Sequence, residues 1–329
     1  MAQSEPQYQG KGLTEWAAEI DRSDFFRLPA YQRHQRQNEQ AIAAIRHIGT
    51  NALPVALGLC AAKDSWLKTK IEDWSDWRNN RDWPNKPRFQ INIKPAYEKR
   101  FEGGNIVWAL GTEAEPAIPA LIRLLQSRDM DVADDVISAL PGAGTNAIAP
   151  LLELLGKSDD EVHLRAAVTL GSFFRPKLPA DESGGCLIVP GSEDFRAQTR
   201  AAVPVLLQYL DRKETSPIWR IRVIRALGLI GEDAPEVVPV LIRHIQNETN
   251  ELSVMRGNYF AALGDFGTNA TSAVSFLTNI LESDSDQRSL GKQQALKTLM
   301  RIDPETAKPF VEKWETSARD ITQTNSPPP

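Results

Sequence analysis

The sequence predicts an all-α protein, an α–α superhelix in which about seven helix pairs stack as a solenoid, and three observations predict it. First, one phrase recurs: an apolar helix end reading Ala-Leu-Gly or similar, a short Gly-containing turn, then a helix that opens near a proline with paired leucines. It reads Ile45 to Leu57, Val107 to Leu125, Leu140 to Leu155, Leu227 to Ile245 and Leu263 to Leu281, with weaker copies at Leu170 to Leu210 and Leu299 to Phe310. The turn residues Gly231, Gly267 and Asp303 are 36 residues apart, and Gly111 to Gly144 is 33, a period that holds two helices.

Second, the copies align on Gly228. One residue before its equivalents stand Ile45, Val107, Leu140, Leu170, Leu227, Leu263 and Leu299; two residues after stand Ile48, Leu110, Ala143, Phe173, Ile230, Phe266 and Ile302. Uniformly apolar columns mark a core shared between stacked repeats. Third, Pro119, Pro150, Pro204, Pro239 and Pro309 recur early in the first helix of each pair, where a missing N–H costs little.

The elements follow in order. Residues 1–36 form a lead-in with a capping helix, because Leu13, Trp16, Ala17 and Ile20 keep the i, i+3, i+4, i+7 spacing of an amphipathic helix. Residues 37–312 are the repeats. Two segments interrupt them: 63–95, between the helices of the first pair, and 175–196, between two pairs; the second is a long loop rich in proline and glycine. Residues 313–329 close the last helix, packed through Phe310, Val311 and Trp314, and run into a polar, proline-ended tail expected to be disordered after Ser317.

Composition narrows the function. A net charge of −5 argues against a protein whose main affinity is for phosphate backbones. The stretch before Gly10 lacks the apolar core of a signal peptide, and no run of about 18 apolar residues spans a bilayer. Cys60 sits in an apolar helix and Cys186 in a Gly-rich loop, so no disulfide framework is expected.

The repeat pattern over roughly 37 to 312 resembles the HEAT repeat family, including its short variant in bilin-lyase-like proteins. The opening Tyr8-Gln9-Gly10-Lys11-Gly12-Leu13-Thr14-Glu15-Trp16, the Ser65-Trp66-Leu67-Lys68 and Pro95-Ala96-Tyr97-Glu98-Lys99-Arg100 stretches and the closing Arg301-Ile302-Asp303-Pro304 are similar to bacterial HEAT repeat proteins of verrucomicrobial type. That resemblance implies a HEAT-like fold, no assigned activity, and a precursor that is exported or membrane-anchored.

Chemistry is sparse. His34, His47, His163 and His244 lack the i, i+3 or i+4 partners of helical metal sites, and none is followed by the Glu that HEAT hydroxylases use for iron, so no metal and no cofactor are expected. Acidic Asp181, Glu182, Glu193 and Asp194 around Cys186 raise rather than lower a thiol pKa. A bilin-lyase-like or other cofactor-handling enzyme is one alternative to a binding role. Another is glycan or nucleic-acid binding through the insertion, where Trp66, Trp74, Trp77 and Trp83 alternate with Lys and Arg; tryptophans packing the insertion onto a helix edge explain the same pattern.

The reading that fits best is a non-enzymatic, monomeric scaffold for a protein or peptide partner. Six residues before the Gly228 position stand Gln40, Glu102, Asp135, Arg165, Arg222, Asn258 and Gln294, a polar column expected on the outer side of each second helix, the concave face of a stacked array. Asp135 and Arg165, in neighbouring repeats, could pair there as a hydrogen-bond ladder. Trp219, Met255 and Tyr259 fall near the same surface, and aromatics, Met and Arg are enriched in protein-binding patches. The candidate site is therefore Asp135, Arg165, Trp219, Arg222, Met255, Asn258 and Tyr259.

Overall fold

The computed structural model describes residues 5–20, 28–66, 70, 94–156, 160–174, 192–248, 254–283 and 289–324. The fold is all-α, apart from a small hairpin of β1 (Gln7–Tyr8) and β2 (Lys11–Gly12). Gln9 and Gly10, at φ 50° and 79°, form its two-residue loop. Such a turn needs positive φ at both positions, which a Gln-Gly pair meets less well than the usual Asn-Gly, so the hairpin left little trace in the sequence.

The chain divides into two compact units, Met1–Pro150 and Leu151–Pro329. In the first, α1 (Leu13–Glu19) is followed by α2 (Leu28–Ile48), α3 (Leu53–Cys60), α4 (Ala96–Leu110), α5 (Ile118–Leu125) and α6 (Met130–Ala139). Leu13, Trp16, Ala17 and Ile20 are all buried, as their spacing predicts. Helix α3 packs along α4, α4 along α6, α5 on α6, and α1 on α2 and α4. Helix α2 starts nine residues ahead of the expected repeat boundary at 37. The stretch Asn38–Cys60 has a mean hydropathy of 1.2, enough for a membrane span. It is instead the end of α2, the 3₁₀ turn Gly49–Ala52 and α3, two helices rather than one; as the single borderline stretch among the described residues it is compatible with no transmembrane segment there.

Helix α7 (Ile148–Leu154) carries the boundary between the units. The second unit comprises α8 (Asp160–Gly171), the short α9 (Arg196–Thr199), α10 (Val203–Asp211), α11 (Pro217–Ile230), α12 (Ala234–Asn247), α13 (Val254–Asp265), α14 (Val274–Glu282), α15 (Leu290–Ile302) and α16 (Pro304–Thr324). Second helices α8, α11, α13 and α15 each pack along the next, while α10 lies on α11, α12 on α13 and α14 on α15. Helix α16 runs to Thr324, past Ser317 where a disordered tail was expected. No Pro or Gly interrupts it after Pro309, and polar residues by themselves do not end a helix.

Both apolar columns are core. Ile45, Val107, Leu140, Leu170, Leu227, Leu263 and Leu299 each show 0% exposure, and in the second column only Ile48 is half-buried. Backbones come close where small residues meet: a Cβ on Gly228 would lie 2.7 Å from Ala262 Cα, and one on Gly171 would lie 2.6 Å from Ala226 Cα. The turns Gly49, Gly111, Gly144, Gly231 and Gly267 all have positive φ, a backbone region that glycine enters without strain; Gly231 closes α11 in the left-handed helical conformation. Where the period supplies Asp303 instead, φ is −144° and its carboxylate accepts from Thr306 N at 3.1 Å, capping α16.

Candidate functional site

The polar column is not the outer face. Arg165 is 2% exposed and Glu102 4%, while Asp135, Arg222, Asn258 and Gln294 are half-buried; only Gln40 is exposed. At about 100° per residue this position sits only about 110° round from the mean of the apolar columns, on the flank where neighbouring second helices meet. Of its residues, Asp135 bonds sideways and Arg165 within its own helix. Arg100 of α4 donates Nε to Asp135 of α6, linking two second helices. Arg165 pairs within its own helix with Glu161 at 3.2 Å, and its carbonyl accepts from Thr169 Oγ1 at 2.6 Å.

Tyr259 is likewise withdrawn from the surface. It is 3% exposed and stacks on His244 of α12, with ring centroids 5.1 Å apart and planes 8° from parallel. Burial pushes its phenol up to about 12, against the pull of Arg220. Burial also lowers the His244 pKa, only partly offset by Asp211, whose Oδ1 lies 3.2 Å from Nε2 and also accepts from Arg243 at 2.6 Å. This Asp211–His244–Tyr259 cluster ties the ends of α10 and α12 to α13. It is packing, which removes Tyr259 from the expected contact surface, as the burial of Arg165 at 2% exposure removes that residue.

Trp219, Arg222, Met255 and Asn258 are each half-buried, reaching the surface only in part. Ser216 caps α11 by accepting from Trp219 N at 3.5 Å, and the Arg222 guanidinium lies 4.9 Å over the Trp219 ring. Asn258 donates to Val254 O at 2.8 Å, a bond inside its own helix. Of the insertion tryptophans, Trp66 is 73% exposed; Trp74, Trp77 and Trp83 lie outside the described residues, as does Cys186. The insertion's ends are tied together by Ala96 N donating to Asp64 Oδ1 at 2.9 Å.

The outward columns lie three residues later and four residues earlier than the polar column of Arg222. On α11, α13 and α15 they are Arg225, Ala261 and Lys297, all exposed, and Ile218, Val254 and the half-buried Leu290; on α8 the position of Arg225 is held by Val168, which is buried. Ile218 is 66% exposed and Val254 70%, on the first turns of the adjacent helices α11 and α13. Trp219 and Met255 follow them in sequence, so two aliphatic side chains with an aromatic and a thioether beside them crown the N-terminal ends of neighbouring helices. In the first unit the corresponding face of α4 is covered: Asn105 Nδ2 donates to Ala17 O at 2.9 Å and to Ile20 O at 3.0 Å.

A column that sequence reasoning passed over is the one eight residues before the Gly228 position. Arg100 donates to Ala62 O at 3.0 Å, Arg220 to Arg212 O at 3.0 Å and Lys292 to Ser283 O at 2.6 Å. Each cation thus satisfies a carbonyl at the C-terminal end of the first helix of its own pair, where the helix dipole is negative. The signal was present as Arg220, Arg256 and Lys292 at 36-residue spacing. Arg196, at the end of the second insertion, does the same for α11 through Leu229 O and Ile230 O, both at 2.6 Å.

Among the described residues no group of three or more His, Cys, Asp or Glu side chains is placed to hold a metal ion. Cys60 is buried and in no disulfide among the described residues. No protein-family model matches this chain, and no curated protein matches it, so the reading of its surface stands on its own geometry.

Proposed function

We propose that the chain is a HEAT-type α–α superhelix that acts without catalysis, as a scaffold holding a protein or peptide partner on the outward face of second helices α11, α13 and α15. The observation that carries this reading is the pair Ile218 and Val254, 66% and 70% exposed at equivalent positions on adjacent helices. Single exposed aliphatics are ordinary; two in register, flanked by Trp219 and Met255, make a patch whose burial by a partner would contribute about 1.5–3 kcal/mol per side chain. Stacked helices offer extended surface rather than a closed pocket, which suits a polypeptide better than a small substrate.

The test places a photo-crosslinking amino acid at Ile218 in the full chain, expressed in its source organism, with a matched probe at Glu236, exposed on the first helix α12. A discrete adduct is expected from position 218 alone, and Val254→Glu should remove it. Equal adducts from both positions, or none from 218, would refute the reading.

A further inference from the structure

We infer that the outward face of α11, α13 and α15 takes an acidic amphipathic helix, its apolar stripe on Ile218 and Val254 and its carboxylates on Arg225 and Lys297. The inference rests on the docking reading above and names the chemistry of the partner.

Charge is sorted by helix. Helix α11 carries Arg220, Arg222 and Arg225 and no acid; α15 carries Lys292, Lys297 and Arg301 and no acid; α13 between them carries Arg256 and Asp265. The chain as a whole has a net charge of −5, so this basic strip is a local feature. Part of the positive charge serves the fold: Arg220 and Lys292 cap first helices, and Arg301 pairs with Asp265. The acid is hidden, because Asp265 is 8% exposed and its charge is met by Arg301 and, more distantly, by Arg225; the side chains of Arg225 and Lys297 nevertheless stand exposed on the outward column. The face these three helices turn outward is therefore positive, with none of their own carboxylates exposed on it.

Geometry sets the shape of the partner. Ile218 and Arg225 are seven residues apart on α11, which at 1.5 Å per residue is about 10 Å along its axis. The row of Ile218, Val254 and Leu290 thus runs across the second helices, and the row of Arg225, Ala261 and Lys297 runs parallel to it at that distance. About 10 Å is the width of an α-helix with its side chains. A helix laid across α11, α13 and α15 would cover both rows at once, apolar on one edge and acidic on the other, with the small Ala261 leaving room beneath its middle. Ile218 and Val254, 66% and 70% exposed with the half-buried Leu290 beyond them, serve such a segment. They do nothing for a phosphate backbone, which needs cations and base-stacking groups along its length.

The full chain is panned against a displayed random peptide library of about 16 residues, a length that as a helix spans roughly 24 Å and crosses neighbouring second helices. The enriched pool is expected to be net acidic, with apolar residues at helical spacing. For a fluorescent peptide from that pool, Arg225→Glu with Lys297→Glu should weaken binding roughly tenfold or more, and Ile218→Glu with Val254→Glu by a similar factor. Binding should also weaken with added salt. A neutral or basic pool, affinity unmoved by the charge reversals, or tighter binding of a single-stranded DNA of equal length would each overturn the inference. An adduct at position 218 accompanied by any of those results would sink the acidic-helix chemistry and leave the docking face standing. Loss of the adduct itself would sink both.

Discussion

Gly228→Ala and Gly58→Ala are the same chemical change and should move stability in opposite directions. Gly228 lies in α11 against α13, where an added Cβ would sit 2.7 Å from Ala262 Cα, 2.9 Å from its Cβ and 3.0 Å from its carbonyl oxygen. Two of those three atoms are backbone, so no rotamer change relieves the contact. Restoring an ordinary carbon–carbon distance of about 3.7 Å requires α11 and α13 to separate by about 1 Å. Leu227 and Leu263, both at 0% exposure, would lose contact on the same seam. Overpacking of this kind costs about 1–3 kcal/mol, against a helix-propensity gain of about 1 kcal/mol for replacing Gly, and the backbone contact puts the cost at its upper end. The expected net loss is about 1–2 kcal/mol. Gly58, in the interior of α3, has nothing within 4 Å of its would-be Cβ, so there the propensity gain of about 1 kcal/mol stands alone. Equilibrium urea unfolding followed by far-UV circular dichroism reads both. With a slope of about 2 kcal/mol per molar, the midpoint should fall by about 0.5–1 M for Gly228→Ala and rise by about 0.5 M for Gly58→Ala. A midpoint for Gly228→Ala at or above wild type would show that the two helices do not approach as described.

Two further outcomes follow from the side-chain networks. Burial holds the His244 pKa below its ordinary 6.5, so as the pH falls the unfolded chain takes up this proton first. The stability that the neutral ring contributes is present above about pH 6.5 and lost as the pH drops through the folded value; thermal melts between about pH 7.5 and 5.5 should show it, and His244→Gln should flatten that slope. A slope unchanged in the variant would assign the titration elsewhere. Lys292, 4% exposed, donates to Ser283 O at the end of α14, and Lys292→Met keeps the stem but orphans that carbonyl. The expected loss is about 1 kcal/mol, with faster amide exchange in the last turn of α14, and Lys292→Arg should recover most of it. Uniform exchange throughout the second unit would contradict a local cap.

The helices, their turns and the residues between them were legible because they rest on local rules. The 36-residue spacing of Gly231 and Gly267 named the turns, and the positive φ of both is what a glycine there permits. The column from Ile45 to Leu299 named the core. The outward face differs from the expected one because about 100° per residue puts Arg225 and Ile218, not Arg222, opposite the core.

By itself, then, the sequence determined which segments are helical, where they turn and which side chains are core, since periodicity and turn chemistry act within a few residues. Tertiary structure alone decided that Tyr259 goes inward onto His244 and that Asp135 is taken by Arg100. It also decided that α1 closes the face of α4 while the faces of α11 and α13 stay open. Those outcomes depend on which helix lies beside which, and exposure is a property of the neighbour as much as of the residue.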